Sequence, residues 1–309
     1  MSSFDPSLLS ALPDIELLSA RPLTGGLSNR CWVLELYNVR TSMCSKAVWR
    51  PIAESTKAFG LSRKHEHQVL DSFQSSLTAS PHTTLPSVVP TNIAPKSLAL
   101  LEQGLLVEWV EGAMAGKNLS DRDLLQLQAD IHALPVPPWR LDVKPKAAHY
   151  WQQIDDKYKS TSLQQLFNHF QQLPLQAWFD DTCCHHDLGR YNIICQPDGN
   201  KRVIDWEYAA AGDPSLDLAL TISANGLDKE LAVAVYCQRQ GRQDSNRWLA
   251  AVTAWQPWCH YLAMLWYYVG ASLWRDRAYL IEADQLRQEL LSKLAQHTGP
   301  NEGSTDSVH

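Results

Sequence analysis

Between His185 and Asp217 the chain places its acids and one amide in an order that few folds accommodate. The runs are His185-His186-Asp187-Leu188-Gly189-Arg190-Tyr191-Asn192, then Ile204-Asp205-Trp206-Glu207-Tyr208-Ala209, then Gly212-Asp213-Pro214-Ser215-Leu216-Asp217. Two short β-rich stretches, Ile193-Ile194-Cys195 and Arg202-Val203-Ile204, flank Gln196-Pro197-Asp198-Gly199-Asn200, and Asp-Gly is a strong hairpin signal. A hairpin there folds the chain back and delivers Asp205 beside Asn192. The spacing His-x-Asp-x-x-x-x-Asn is that of a loop whose Asp acts as a base and whose Asn reaches a metal ion. Asp205 adds a second hard oxygen donor, of the type magnesium takes while it shares its shell with phosphates and water. Each piece alone is turn chemistry; the ordered conjunction carries the reading. Cys183-Cys184 beside the two histidines lacks a Cys-x-x-Cys or His-x-x-x-His partner set, which argues against zinc.

Composition narrows the classes further. A chain of 309 residues, 45% hydrophobic and 19% charged, can bury a sizeable core and falls between one and two domains. A net charge of −6 speaks against a nucleic-acid surface, which needs a basic face, and suits a cationic small molecule. Met1 to Pro6 has neither the basic start nor the apolar run of a signal peptide. Seven cysteines, an odd number without framework spacing, fit a reducing cytoplasm. The longest apolar stretch, Tyr261 to Trp274, is too short to span a bilayer. The expectation is a cytoplasmic protein with no membrane or nucleic-acid partner.

Along the chain, Pro6 to Leu12 reads as a short helix, and Arg21 to Leu36 as strand, glycine turn, strand. Ala47 to Pro51 is a third strand, and a helix begins at Ser62. Residues 71 to 92, rich in Ser, Thr and Pro, are expected as a loop or insertion. Gly104 to Val110 is an apolar strand running into a polar linker. Leu124, Leu127, Ile131 and Leu134 keep helical spacing, with His132 expected as a packing residue. Asp213 and Asp217 read as caps and anchors, and His185 as a brace, for the loop at Asp187. The last third is helical and dense in aromatics; Trp255, Trp258, Leu262 and Trp266 share one helix face.

These runs resemble the aminoglycoside phosphotransferase and choline kinase superfamily. Its members carry His-Gly-Asp-x-x-x-x-Asn, then Ile-Asp-Trp/Phe-Glu-Tyr-Ala, then Gly-Asp-Pro-x-x-Asp-Leu-Ala. Ile204 to Ala209 fits as it stands, and His186 stands where Gly is usual. The resemblance implies an α+β, protein-kinase-like two-lobed fold. Residues 1–110 would be a small antiparallel-sheet lobe for the nucleotide, 111–297 a larger, mainly helical lobe for catalysis and substrate, and 298–309 a disordered tail. It also implies ATP and Mg2+ as cofactors. Asp187 would be the catalytic carboxylate, Asn192 and Asp205 the metal ligands, and Gly25, Gly26 and Ser28 the loop over the phosphates. Arg50, braced by Glu66, would hold the α/β-phosphates, and the backbone of Glu108 and Val110 would meet adenine. Trp255, Trp258 and Trp266 are candidates for contact with substrate, because ring faces attract organic cations, and Glu207 is a candidate to assist metal or substrate.

Within the superfamily, Ala94-Pro95-Lys96, Tyr150-Trp151-Gln152-Gln153, Val203 to Ala209 and Trp255-Gln256-Pro257-Trp258 resemble the thiamine-kinase branch. Thiamine offers a primary hydroxyl and a thiazolium cation. Choline or ethanolamine kinase and aminoglycoside phosphotransferase are the alternatives within the superfamily. A nucleotide-binding pseudokinase module is the alternative of another class; it would normally have lost Asp187, Asn192 or Asp205, and all three are here.

Overall fold

A computed structural model of the chain describes residues 4–23, 31–78 and 92–298. Its first strands are Ile15–Pro22 (β1), Trp32–Asn38 (β2) and Met43–Pro51 (β3), followed by helices Glu54–Ala58 (α1) and Arg63–Thr78 (α2) and strands Ser97–Leu101 (β4) and Gly104–Glu108 (β5). The five strands make one antiparallel sheet in the order β1-β2-β3-β5-β4. Alternation along β5 shows how its faces are shared. Leu106 joins Phe4, Leu9, Leu34, Leu36, Ala47 and Trp49, while Leu105 and Val107 join Val69, Leu70 and Phe73 of α2 on the other side. The N-terminal segment covers the first face as a 3-10 turn, Pro6–Leu9, capped by Asp5, rather than a longer helix.

The loop expected from residue 71 is corrected by α2, which continues to Thr78. Phe73 lies one turn beyond Val69 and Leu70, so the apolar stripe persists; its ring meets Trp206 edge-on with centroids 4.9 Å apart. Gly25, Gly26 and Ser28, like residues 79–91, lie outside the described residues.

Beyond the sheet come Ala113–Met114 (β6), Asp121–Ile131 (α3), Val143–Gln153 (α4), Thr161–Gln172 (α5) and Thr182–Cys184 (β7). The expected hairpin is Ile193–Cys195 (β8) against Lys201–Val203 (β9). Its turn closes with Gln196 N–H donating to Asn200 O at 2.8 Å, and Gly199 takes φ +86°, which favours glycine. Ala210–Gly212 (β10) then pairs with β7. Helices Pro214–Asn225 (α6), Lys229–Gln240 (α7), Ser245–Trp274 (α8) and Arg277–Thr298 (α9) complete the chain. Asp213 caps α6, its Oδ1 accepting from Ser215 N–H at 2.9 Å with Pro214 as the first helical residue.

The chain parts into two compact units, Met1–Asp142 with Gln176–Gln256 and Val143–Leu175 with Pro257–His309. The lobe boundary expected near 110 falls inside the first unit, which holds the sheet, the hairpin and every residue from Asp187 to Asp217. One core cluster of that unit runs from Val69 and Leu105 through Leu127 and Ile131 to Leu188, Ile193, Val203 and Trp206, so the sheet and the hairpin share buried apolar surface. The second unit has a core of its own. Phe170 stacks on Tyr261 with centroids 4.0 Å apart and meets Trp258 edge-on at 5.0 Å, and Arg287 Nη1 donates to Ser162 Oγ at 2.7 Å. Among the described residues no helix is long and apolar enough to cross a membrane.

Candidate active site

The loop at Asp187 is hung from one buried carboxylate. Asp217 Oδ1 accepts from His186 N–H at 2.7 Å and Oδ2 from His185 N–H at 3.0 Å. Oδ2 also accepts from Gln128 Nε2 at 2.7 Å and lies 3.0 Å from His132 Nε2. Burial pushes the Asp217 carboxyl up, but the hydrogen bond from His132 and the neighbouring imidazoles outweigh it and hold the group well below the usual carboxylate range. His132 is thus a polar brace rather than only a packing residue, and its Nδ1 is 2.7 Å from Tyr236 Oη. His185 braces as expected, with Nε2 3.1 Å from Ile204 O.

His186 has φ +61°, in the left-handed region where Gly fits without strain. Its ring is buried, with Nδ1 3.2 Å from Tyr208 O, and it covers Gly212, where an added β-carbon would come within 2.9 Å of Nε2. The departure from Gly at 186 is therefore matched by a bare backbone at 212.

The hairpin brings Asp187, Asn192 and Asp205 together. Asn192 Nδ2 donates to Asp187 O at 2.9 Å and to Oδ2 at 3.2 Å, while Tyr191 Oη donates to Oδ1 at 2.6 Å. The Asp187 carboxyl is pushed up to about 7, chiefly by burial, with the charges of Asp205 and Glu207 adding to the rise and the bonds from Tyr191 and Asn192 opposing it. Ile204 N–H donates to Asn192 O at 2.8 Å, tying the two ends of the hairpin. Asp205 has φ +67°. With the Asn192 amide nitrogen spent on Asp187 and Asp205 Oδ1 held by Arg50, the atoms these residues can offer are an amide oxygen and a carboxylate oxygen. Oxygen donors without sulfur or imidazole fit a hard divalent cation such as magnesium.

Beside Asp205 lies a buried charge cluster. Arg50 Nε is 2.8 Å from Glu66 Oε1; Arg50 Nη2 is 2.9 Å from Glu207 Oε2 and also contacts Asp205 Oδ1. The structure thus pairs Arg50 with Glu66, as sequence reasoning expected. It adds Arg63, whose Nη1 is 2.7 Å from both Glu66 Oε2 and Glu207 Oε2. Arg63 was not foreseen, because a cation opening a helix reads as a solvated charge; only its 2% exposure reveals otherwise. Burial raises the Asp205 carboxyl, but Arg50 and Arg63 outweigh it, so Asp205 is lowered; Glu207, buried deeper and beside that charge, is raised.

Glu108 N–H donates to Lys96 O at 2.9 Å, and its Oε2 accepts from Lys96 N–H and Arg202 Nη2, each at 2.9 Å. Its N–H is therefore committed within the sheet, and Val110 is buried just beyond. Trp255 is buried in the first unit, its Nε1 donating to Ser215 Oγ at 3.1 Å. Trp258 lies in the core of the second unit, and half-buried Trp266 packs there against Tyr279, centroids 5.8 Å apart.

With this geometry in view, the profile of the Phosphotransferase enzyme family matches residues 19–258. The chain belongs to that family. Thiamine kinases of Shigella boydii serotype 4 and Escherichia coli K12 are each 27% identical to this phosphotransferase over 207 residues, 67% of this chain and 75% of theirs. A choline kinase from Streptococcus pneumoniae matches in structure with a TM-score of 0.65 at 16% identity, over 93% of this chain and 96% of that one. The GDP complex of aminoglycoside 2'-phosphotransferase-IIIa matches with a TM-score of 0.54, also at 16% identity, over 93% and 96%. At such identities the likeness is one of fold, and it is the protein-kinase-like fold with an antiparallel-sheet N-terminal lobe and a mainly helical remainder. The phosphotransferase is a small-molecule kinase.

Proposed function

We propose that this kinase transfers the γ-phosphoryl group of ATP to the primary hydroxyl of thiamine, in the cytoplasm. The observation that carries the reaction type is the Asp187 carboxylate fixed beside Asn192 and Asp205 by one short hairpin. Identity with thiamine kinases along 207 residues supports the choice of acceptor.

In this reading Asp187 accepts or orients the proton of the attacking hydroxyl, as general-base geometry requires. Its pKa near 7 keeps it able to exchange a proton near neutrality. Asn192 Oδ1 and Asp205 Oδ2 would hold Mg2+, which when bound neutralises charge on the phosphates. Arg50, held in place by Glu66 and Glu207, steadies the phosphates. The family resemblance assigns Gly25, Gly26 and Ser28 to the loop over the phosphates. With the Glu108 N–H committed to Lys96, Glu108 offers adenine its carbonyl and Val110 its N–H. Glu207 is taken up by ion pairs, Trp255 by its bond to Ser215 and Trp258 by the core of the second unit, so none of the three is assigned a contact with the acceptor.

The test is ADP release with ATP, magnesium and a panel of thiamine, choline, ethanolamine, homoserine and aminoglycosides. Thiamine should give the highest kcat/KM. Asp187→Asn should lower turnover by about 10²–10⁴-fold, the range for a positioned base, with ATP affinity largely kept. Unchanged turnover in Asp187→Asn would defeat the assignment, and a preference for choline would move the acceptor.

A further inference from the structure

Tyr191 sits one residue before Asn192 and is 52% exposed, yet its hydroxyl is not simply presented to water. It donates to Asp187 Oδ1 at 2.6 Å, a short bond to a charged acceptor of the stronger kind. To reach that oxygen four residues back, the ring folds over Gly189. A β-carbon on Gly189 would lie 2.0 Å from Tyr191 Cε1 and 2.3 Å from Cζ. Gly189 itself has φ −107° and ψ 160°, a backbone conformation open to any residue. Glycine is therefore not demanded there by the backbone. What its missing side chain supplies is the seat of the Tyr191 ring.

Asp187 is gripped from both ends. Asn192 Nδ2 holds Oδ2 and the backbone carbonyl, and Tyr191 Oη holds Oδ1. A carboxylate oxygen has two acceptor sites, so one hydrogen bond from the phenol leaves a lone pair of Oδ1 in a fixed direction. Asn192 alone would leave the carboxylate able to rock about its Cβ–Cγ bond, because its grip on Oδ2, at 3.2 Å, is long.

We propose that Tyr191, seated on Gly189, is a positioning residue for the phosphoryl transfer: its hydroxyl fixes the plane of the Asp187 carboxylate and so the lone pair that meets the acceptor hydroxyl. The inference rests on the reading of Asp187 as the base. Gly189 and Tyr191 work as one device, in which either is useless to the loop without the other.

The experiment is a cycle of Tyr191→Phe, Tyr191→Ala, Gly189→Ala and Gly189→Ala/Tyr191→Ala, with Asp187→Asn alongside. Steady-state ADP release is followed with thiamine as acceptor and, as a second readout, with water. Thermal midpoints are measured for each variant. Tyr191→Phe should lower kcat by about ten- to a hundredfold, the loss expected when a reacting group drifts from its alignment. KM for ATP and the thermal midpoint should stay close to wild type. Gly189→Ala should reproduce that kcat loss by unseating the ring, and should add nothing in the Tyr191→Ala background, as coupled neighbours do. Three results would overturn the proposal. Tyr191→Phe could keep full kcat while Asp187→Asn loses it; Tyr191→Phe could lower KM for thiamine at unchanged kcat, making the phenol a placeholder the acceptor displaces; or Gly189→Ala could be equally harmful with and without the Tyr191 ring. If Asp187→Asn itself retains turnover, it is the base assignment that has failed, and the two failures are told apart.

Discussion

Two parts of the first unit bury carboxylates by opposite means. Asp217 is held by a ring of hydrogen-bond partners with no guanidinium among them: two backbone N–H donors, the Gln128 amide and the His132 ring. Glu66, Asp205 and Glu207 are held by the guanidinium groups of Arg50 and Arg63. The first arrangement concentrates donors on one charge and drives its pKa down. The second shares two cations among three acids, so a lowered Asp205 stands beside a raised Glu207. A hydrogen-bonded cradle suits an anchor that never changes state. A cluster short of positive charge suits a place where further positive charge is received, which is what a metal–nucleotide site needs.

Removing the anchor should have the largest effect. Asp217→Ala leaves four polar groups without their acceptor, each costing about 1–3 kcal/mol when buried, so a loss of at least about 4 kcal/mol is expected in urea denaturation. Asp217→Asn should be nearly as harmful, since its amide nitrogen would face an N–H. The pH dependence has a definite sign. A carboxyl whose folded pKa is depressed contributes stability that is fully present above its unfolded value and is lost as pH falls toward the folded value. Wild type should therefore lose stability steadily below about pH 4, and Asp217→Ala should show a flatter acid limb. Equal acid limbs would mean the cradle does not hold the charge.

Breaking the ionic side comes next. Arg63→Met leaves Glu66 and Glu207 with one cation fewer, and removing one partner of a buried pair costs about 3–5 kcal/mol. Arg63→Met/Glu207→Gln should recover part of that loss, because the surplus charge goes with Glu207. If the double variant is as unstable as the sum of its parts, the charge imbalance is not what the cluster feels.

The same contrast explains what was legible in the sequence. Asp187, Asn192 and Asp205 could be read because their spacing is local and an Asp-Gly turn tells where the chain doubles back. The caps were legible too, since Asp213 before Pro214 is a nearest-neighbour signal. Arg50 with Glu66 was legible only through the resemblance, which pairs a strand cation with a helix glutamate. Arg63, Gln128 and His132 escaped because their partners, Glu207 and Asp217, are between 85 and 144 residues away, and no periodicity announces them. The helical turn after Leu70 escaped because Ser and Thr there outweighed one buried Phe73. Nothing in the sequence sets Tyr191 apart from its neighbours; only the bond from its hydroxyl to Asp187 does.

The smallest expected effect probes how the anchored side tolerates His186. Gly212→Ala puts a β-carbon 2.9 Å from His186 Nε2 and 3.6 Å from Cys184 Sγ, in a strand whose backbone is held by β7. Overpacking of this kind costs about 1–3 kcal/mol. His186→Gly relieves a left-handed residue of about 1–2 kcal/mol but gives up a buried ring, so by itself it should change stability little. In that background Gly212→Ala has no ring to strike and should become nearly neutral, a coupling of about 1–2 kcal/mol between the two sites. Because the His186 N–H donates to Asp217 through the backbone, the cradle survives the loss of the imidazole. If Gly212→Ala costs the same with Gly at 186, the bare backbone at 212 answers to something other than the histidine.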